Sequence, residues 1–125
     1  MKLLDRLLTF VLALGALGHT IGTFVLVEIG SPLFVWSLSG ALAVWMLVAL
    51  HALRSRRPED RAVAGIATLG SVAWAVVALL FGASIGNVAD PRALVHAVAA
   101  LGLAVLGAIG LFARATPASR PAIVS

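Results

Sequence analysis

The sequence predicts an all-α membrane protein, with four transmembrane helices in an up-down-up-down bundle. Three observations predict this class. Four apolar runs, 7–27, 33–53, 62–82 and 93–113, are each about as long as the ~20 residues a helix needs to cross the hydrocarbon core. Only 11% of the 125 residues are charged and 62% are hydrophobic. A soluble domain carries about 25% charge, so the shortage fits a solvent in which a buried charge is expensive. The segments joining the runs are short, which makes successive helices antiparallel neighbours. The expected organisation is one transmembrane domain, 1–114, and a flexible cytoplasmic tail, 115–125, with no soluble domain.

The first run begins like a leader peptide, with a basic start and an apolar centre. It continues past Gly18 to Val27, beyond the roughly 7–15 residues of a leader's apolar region, so it reads as a span. The second opens on Ser31-Pro32, an N-cap followed by proline at the first helical position. Pro58, then Glu59 and Asp60, reads as the start of the third, with acids near its positive dipole end. Asp90-Pro91 repeats the cap-and-proline signal for the fourth. Gly30 and Gly86-Asn87 follow the first and third runs, where a left-handed C-cap is expected.

Charge orients the spans. Lys2, Arg6, Arg54, Arg56, Arg57, Arg61, Arg114 and Arg120 fall at one end and Arg92 alone at the other. The positive-inside rule then places both termini and the central loop in the cytoplasm. The net charge of +4 is not a nucleic-acid footprint, because the arginines sit at helix ends and not on a solvated face with interleaved aromatics. The small multidrug transporters are similar in length and helix count, but they carry a carboxylate in the middle of the first span and a weak charge bias. This chain lacks that carboxylate and its bias is strong.

In lipid, helices associate through close packing of small residues and interhelical hydrogen bonds. Ala64, Ala67, Thr68, Ser71, Ala75, Ala78 and Gly82 form one small-residue face of the third span. The fourth has Ala93, Ala97, Ala100, Ala104 and Gly107, the second Ser37, Gly40 and Ala41, and the first Gly15, Gly18 and Gly22. Gly18 and Gly22 make a GxxxG pair. Bulky Leu, Val and Phe residues are left to face lipid. Trp36 belongs near the outer interface, and Trp45 and Trp74 lie deeper as packing residues.

His19 is the main candidate for chemistry. Gly15, Ala16, Gly22 and Thr23 share its helix face, so it points into the bundle, and an ionisable residue there is a functional candidate. The alternative is that its ring bonds a neighbouring hydroxyl or carbonyl and fixes packing. His96, one turn into the fourth span, is a partner to weigh. A haem b held by both rings needs substantial tilt or offset, because the two lie at depths ~7 Å apart by helical rise. The polar residues His19, Thr23, Glu28, Ser37, Asp90 and His96 gather in the outer half, which predicts a small pocket open to the outside; few polar groups besides Thr9, Thr68 and Ser71 lie in the inner half. His51 is expected to reach the inner interface or cap carbonyls there. Cysteine and tyrosine are absent, which removes thiolate and phenol chemistry. No P-loop, GxSxG, HExxH or paired intramembrane carboxylates occur, so no enzyme class is indicated and no metal site is expected.

The segment from Gly15 to Phe24, containing Gly18-His19-Thr20-Ile21-Gly22, resembles small, uncharacterised bacterial four-helix membrane proteins with a Gly-His-Thr-x-Gly segment in the first helix. Trp36 and Gly40 in the second span match them more loosely. The resemblance implies four helices and a role for His19, but no activity; the expected location is the bacterial inner membrane. The leading expectation is a structural or accessory protein that associates with itself or with a larger membrane protein. The alternatives are a binder or transporter of a small molecule or proton at the His19 pocket, and a haem-binding redox subunit.

Overall fold

The computed structural model describes residues 1–113; the expected tail at 115–125 lies outside them. Four helices fill the described chain: α1 (Lys2–Leu26), α2 (Pro32–Arg56), α3 (Arg61–Ser84) and α4 (Pro91–Ala113). Each is long and apolar enough to cross a membrane. The chain is a small multi-pass membrane protein built as an all-α four-helix bundle. In hydrocarbon, only helices and closed barrels satisfy every backbone polar group internally, and this chain takes the helical solution.

Local chemistry sets the ends. Ser31 caps α2, its hydroxyl accepting from the Phe34 N–H, with Pro32 at the first position. Asp90 does the same for α4: its Oδ1 accepts from the Arg92 N–H at 2.9 Å. The start of α3 differs from the sequence expectation. Pro58 and Glu59 lie in the turn, and Asp60 is the cap, accepting from the Val63 N–H at 3.0 Å. Asp60 wins because its short carboxylate reaches back to the first turn's free N–H groups. The end of α3 is a complete Schellman motif. Gly86 takes φ +71°, its N–H bonds Ala83 O, and the Asn87 N–H bonds Gly82 O. Gly30, at φ +87°, lies three residues past the extended Val27 that ends α1, so it shapes the loop and not the cap.

Each helix packs against its chain neighbours, and α1 closes the ring on α4; the α3–α4 contact is the most extensive. Small residues explain that contact. Ala64, Ala67, Ser71, Ala75, Ala78 and Gly82 are all buried on α3. They face a buried row on α4 that includes Ala93, Ala97, Ala100, Ala104 and Gly107. Large apolar side chains such as Phe10, Leu69, Leu80 and Phe112 are exposed, as a lipid-facing surface requires. At mid-depth a plug of Leu12, Ala16, Val44, Leu47, Ala99 and Leu103 fills the ring. This plug separates two layers of polar side chains, one toward the far end (the α1–α2 and α3–α4 loops) and one toward the basic end (the N-terminus and the α2–α3 loop).

Candidate functional site

The far-end layer is built around α1. His19 Nε2 lies 3.1 Å from the Ser37 carbonyl oxygen, and with an acceptor there the ring nitrogen donates. One turn further on, the Thr23 hydroxyl meets the Ser37 hydroxyl at 2.7 Å and lies 2.9 Å from the His19 carbonyl. Gly40 faces His19 Nε2 across the α1–α2 contact. Trp45 extends the seam, donating its indole N–H to Thr20 Oγ1 at 3.1 Å. So His19, Thr23 and Ser37 come together, as helix-to-helix ties. Thr23 is 2% exposed, so its hydroxyl is buried within the layer, while His19 and Ser37 are half-buried.

His96 sits lower. Its Nδ1 accepts from the Trp74 indole N–H at 3.1 Å, and the rings meet edge to face at 5.7 Å between centroids. With the Nδ1 lone pair engaged, the ring proton belongs on Nε2. That edge of the ring lies against Gly15: a Cβ there would fall 2.7 Å from His96 Cε1 and Nε2. Gly15 is therefore required for the approach of α4 to α1. A haem between His19 and His96 would require His96 to give up the Trp74 bond, because its one lone pair is engaged there, whereas His19 would keep its Ser37 bond and offer Nδ1. Among the described residues, no three His, Cys, Asp or Glu side chains gather in a metal-binding group.

The other expected pocket residues stand apart. Glu28 is exposed in the α1–α2 loop. Asp90 binds its neighbour Arg92 through two carboxylate–guanidinium hydrogen bonds of 2.9 Å, and the guanidinium lies 5.6 Å from the Phe81 ring centroid. The hydrogen bond from Arg92 holds the Asp90 carboxyl down to about 2, below its ordinary 3.8. The ionised form is favoured in the fold, so its stabilisation is complete above pH ~4 and lost as pH falls through about 2. Melting profiles in detergent should fall over that window for the wild type and be flatter for Asp90→Asn. The effect should also shrink in high salt, because Arg92 is exposed.

A lateral groove of about 430 Å³ opens toward lipid at this level, lined by residues including Thr20, Phe34, Leu38, Ser39 and Trp45. His19, Thr23 and Ser37 do not line it, and its lining is mostly apolar. Trp36 is 77% exposed on the same helix near the far end. Gly18 is exposed and Gly22 half-buried, and a Cβ on either would meet nothing within 4 Å. Neither glycine of the GxxxG pair makes a close contact within the described residues. Ser71 and Ala75 lie in the buried face of α3.

The basic-end layer is the part that sequence reasoning missed. Helix α2 continues to Arg56, so Arg54 is a helical residue and not part of the loop. It is buried and forms an ion pair with Asp5 of α1. Its Nη1 also reaches the Leu103 carbonyl of α4 at 3.4 Å, across the diagonal of the ring. Gly107 makes that reach possible, because a Cβ there would fall 2.6 Å from Nη1 and also collide with the Thr68 hydroxyl. One turn before Arg54, His51 is 1% exposed and its Nε2 lies 2.7 Å from the Ser71 hydroxyl. This corrects the expectation that His51 reaches the interface: its position on the buried face with Leu47 and Arg54 turns it inward. The available signals were the 51/54 spacing on α2, the 68/71 spacing on α3, and an acid at position 5 on the stripe of Leu12, His19 and Thr23.

The chain matches no protein-family model, no curated protein and no solved structure.

Proposed function

We propose that the chain is a structural or accessory module of the bacterial inner membrane, with both termini cytoplasmic, that associates with a second copy of itself or with a larger membrane protein. One observation carries this reading. The interior polar groups are tied to one another between helices, whereas the Cβ positions of the GxxxG pair Gly18–Gly22 on α1 meet nothing within 4 Å among the described residues. In lipid such a notch lets another helix backbone approach closely. Leu14, Ile21 and Val25, exposed around it, provide the flanking ridges. The charge asymmetry supports the orientation. The likeness of the Gly-His-Thr-x-Gly segment to small bacterial membrane proteins supports the placement. No cofactor enters this reading.

The test is proximity labelling in bilayers. Energy transfer between labelled copies, and crosslinking in native membranes, should report association. Replacing both Gly18 and Gly22 with Leu should weaken it at least about tenfold, while the helical content of the bundle is retained. A chain that stays monomeric as lipid is diluted out and crosslinks to nothing in its own membrane contradicts the reading. So does association that survives the double substitution.

A further inference from the structure

The basic end carries a second feature, independent of self-association. Met46, Ala49, Leu50 and Leu53 line a lipid-facing groove of about 220 Å³ on α2. They recur at three- and four-residue steps, so they occupy one stripe of the helix. Continued by one turn, that stripe reaches Arg57 at its centre and Arg56 at its edge. Both arginines are exposed, and neither side chain is engaged by another described residue. Arg54, on the preceding turn of α2, is turned inward and neutralised by Asp5.

We propose that this stripe is a binding site for one anionic phospholipid of the leaflet at the basic end. The phosphate lies between Arg56 and Arg57, and one acyl chain lies along Ala49 between Met46, Leu50 and Leu53. Two features select this occupant. The charges complement a phosphodiester, because the two free guanidiniums above the groove outnumber the exposed Glu59 beyond them, whose carboxylate repels a phosphate. The dimensions match as well: the eleven-residue rise from Met46 to Arg57 is ~16 Å, close to the ~15 Å of one hydrocarbon leaflet. Ala49 supplies the depth, as the small residue among three large ones. The comparable groove beside Trp45 adjoins the α1–α2 loop, whose one charge is the acid Glu28. Its hydroxyls are engaged, Ser39 with Val35 O and Thr20 with Ala16 O, so it offers a headgroup nothing.

The experiment compares spin-labelled phosphatidylglycerol with spin-labelled phosphatidylcholine in phosphatidylcholine vesicles containing the whole chain. The motionally restricted fraction of each label gives the relative affinity. The wild type should prefer phosphatidylglycerol. Arg56→Gln and Arg57→Gln should each cut that preference about fivefold, the worth of one cation near the membrane surface. Lys2→Gln with Arg6→Gln should leave it unchanged. Ala49→Phe, which fills the groove, should lower the restricted fraction of both lipids, with helical content preserved in every variant. The proposal fails if the Arg56→Gln/Arg57→Gln double variant keeps the preference. It also fails if Lys2→Gln/Arg6→Gln costs as much, which would mean diffuse attraction by the basic rim, or if Ala49→Phe retains wild-type levels of restricted lipid.

Discussion

Asp5→Ala should destabilise the bundle by about 3 kcal/mol or more, among the largest effects of any single substitution in the chain. The Arg54 guanidinium is buried, and its charge is balanced by the Asp5 carboxylate. Removing the acid leaves a cation enclosed by α1, α2 and α4 with only the distant Leu103 carbonyl and whatever water can enter. The cost measures the abandoned charge more than the worth of the pair. Replacing both partners should therefore recover much of the loss: Asp5→Leu with Arg54→Met removes the charge and its need for solvation together. Reversible unfolding in mixed micelles, run as a double-mutant cycle, checks this. Additive single losses, with no recovery in the double variant, would show that the pair is not coupled.

Gly107→Ala should cost about 1–3 kcal/mol although it adds one methyl group to a helix. Intrinsic propensity alone would favour alanine by up to ~1 kcal/mol, so the sign of the effect is informative. The added Cβ would meet the Thr68 hydroxyl and Arg54 Nη1 together. Neither can yield without loss, since Thr68 is bonded to Ala64 O and Arg54 holds Asp5. Gly107→Ala in a Thr68→Ala background should recover part of the loss by opening the α3 side. The same unfolding measurement decides it. A stabilising or neutral Gly107→Ala would mean that α3 and α4 do not approach closely at this level.

The two predictions fall on residues that the sequence marked unevenly. The small-residue face of α3 was legible because its period is the helix's own, and a run of Ala, Ser and Gly has no other use in an apolar span. The caps at Ser31 and Asp90 were legible because the side chain and the N–H groups it satisfies lie within three residues. Arg54 was hidden, since hydropathy ends the span at residue 53 and a long polar side chain there reads as loop. Only the extra turn of α2 and the arrival of Asp5 from another helix give it a buried role. His19 and His96 were visible as intramembrane histidines, yet their partners were not. The Ser37 carbonyl and the Trp74 indole are set by the register of antiparallel helices, which no local pattern encodes. The residues anticipated as one polar pocket face different neighbours for the same reason, since depth groups them and register separates them. Gly18 and Gly22 carry the opposite lesson, a packing motif legible in the sequence whose Cβ positions meet nothing within 4 Å among the described residues.

The central claim is that the interior polar residues bind helices to one another and leave no wet site around His19. Solid-state NMR of the chain in lipid bilayers tests it most directly, with labelled His, Trp, Ser and Thr. The account predicts a hydrogen-bond correlation between the Trp74 indole N–H and His96 Nδ1, a contact from His19 Nε2–H to the Ser37 carbonyl, and no transfer of magnetisation from water to Thr23. Rapid water transfer to Thr23 and His19, with the Trp74–His96 correlation missing, would contradict it.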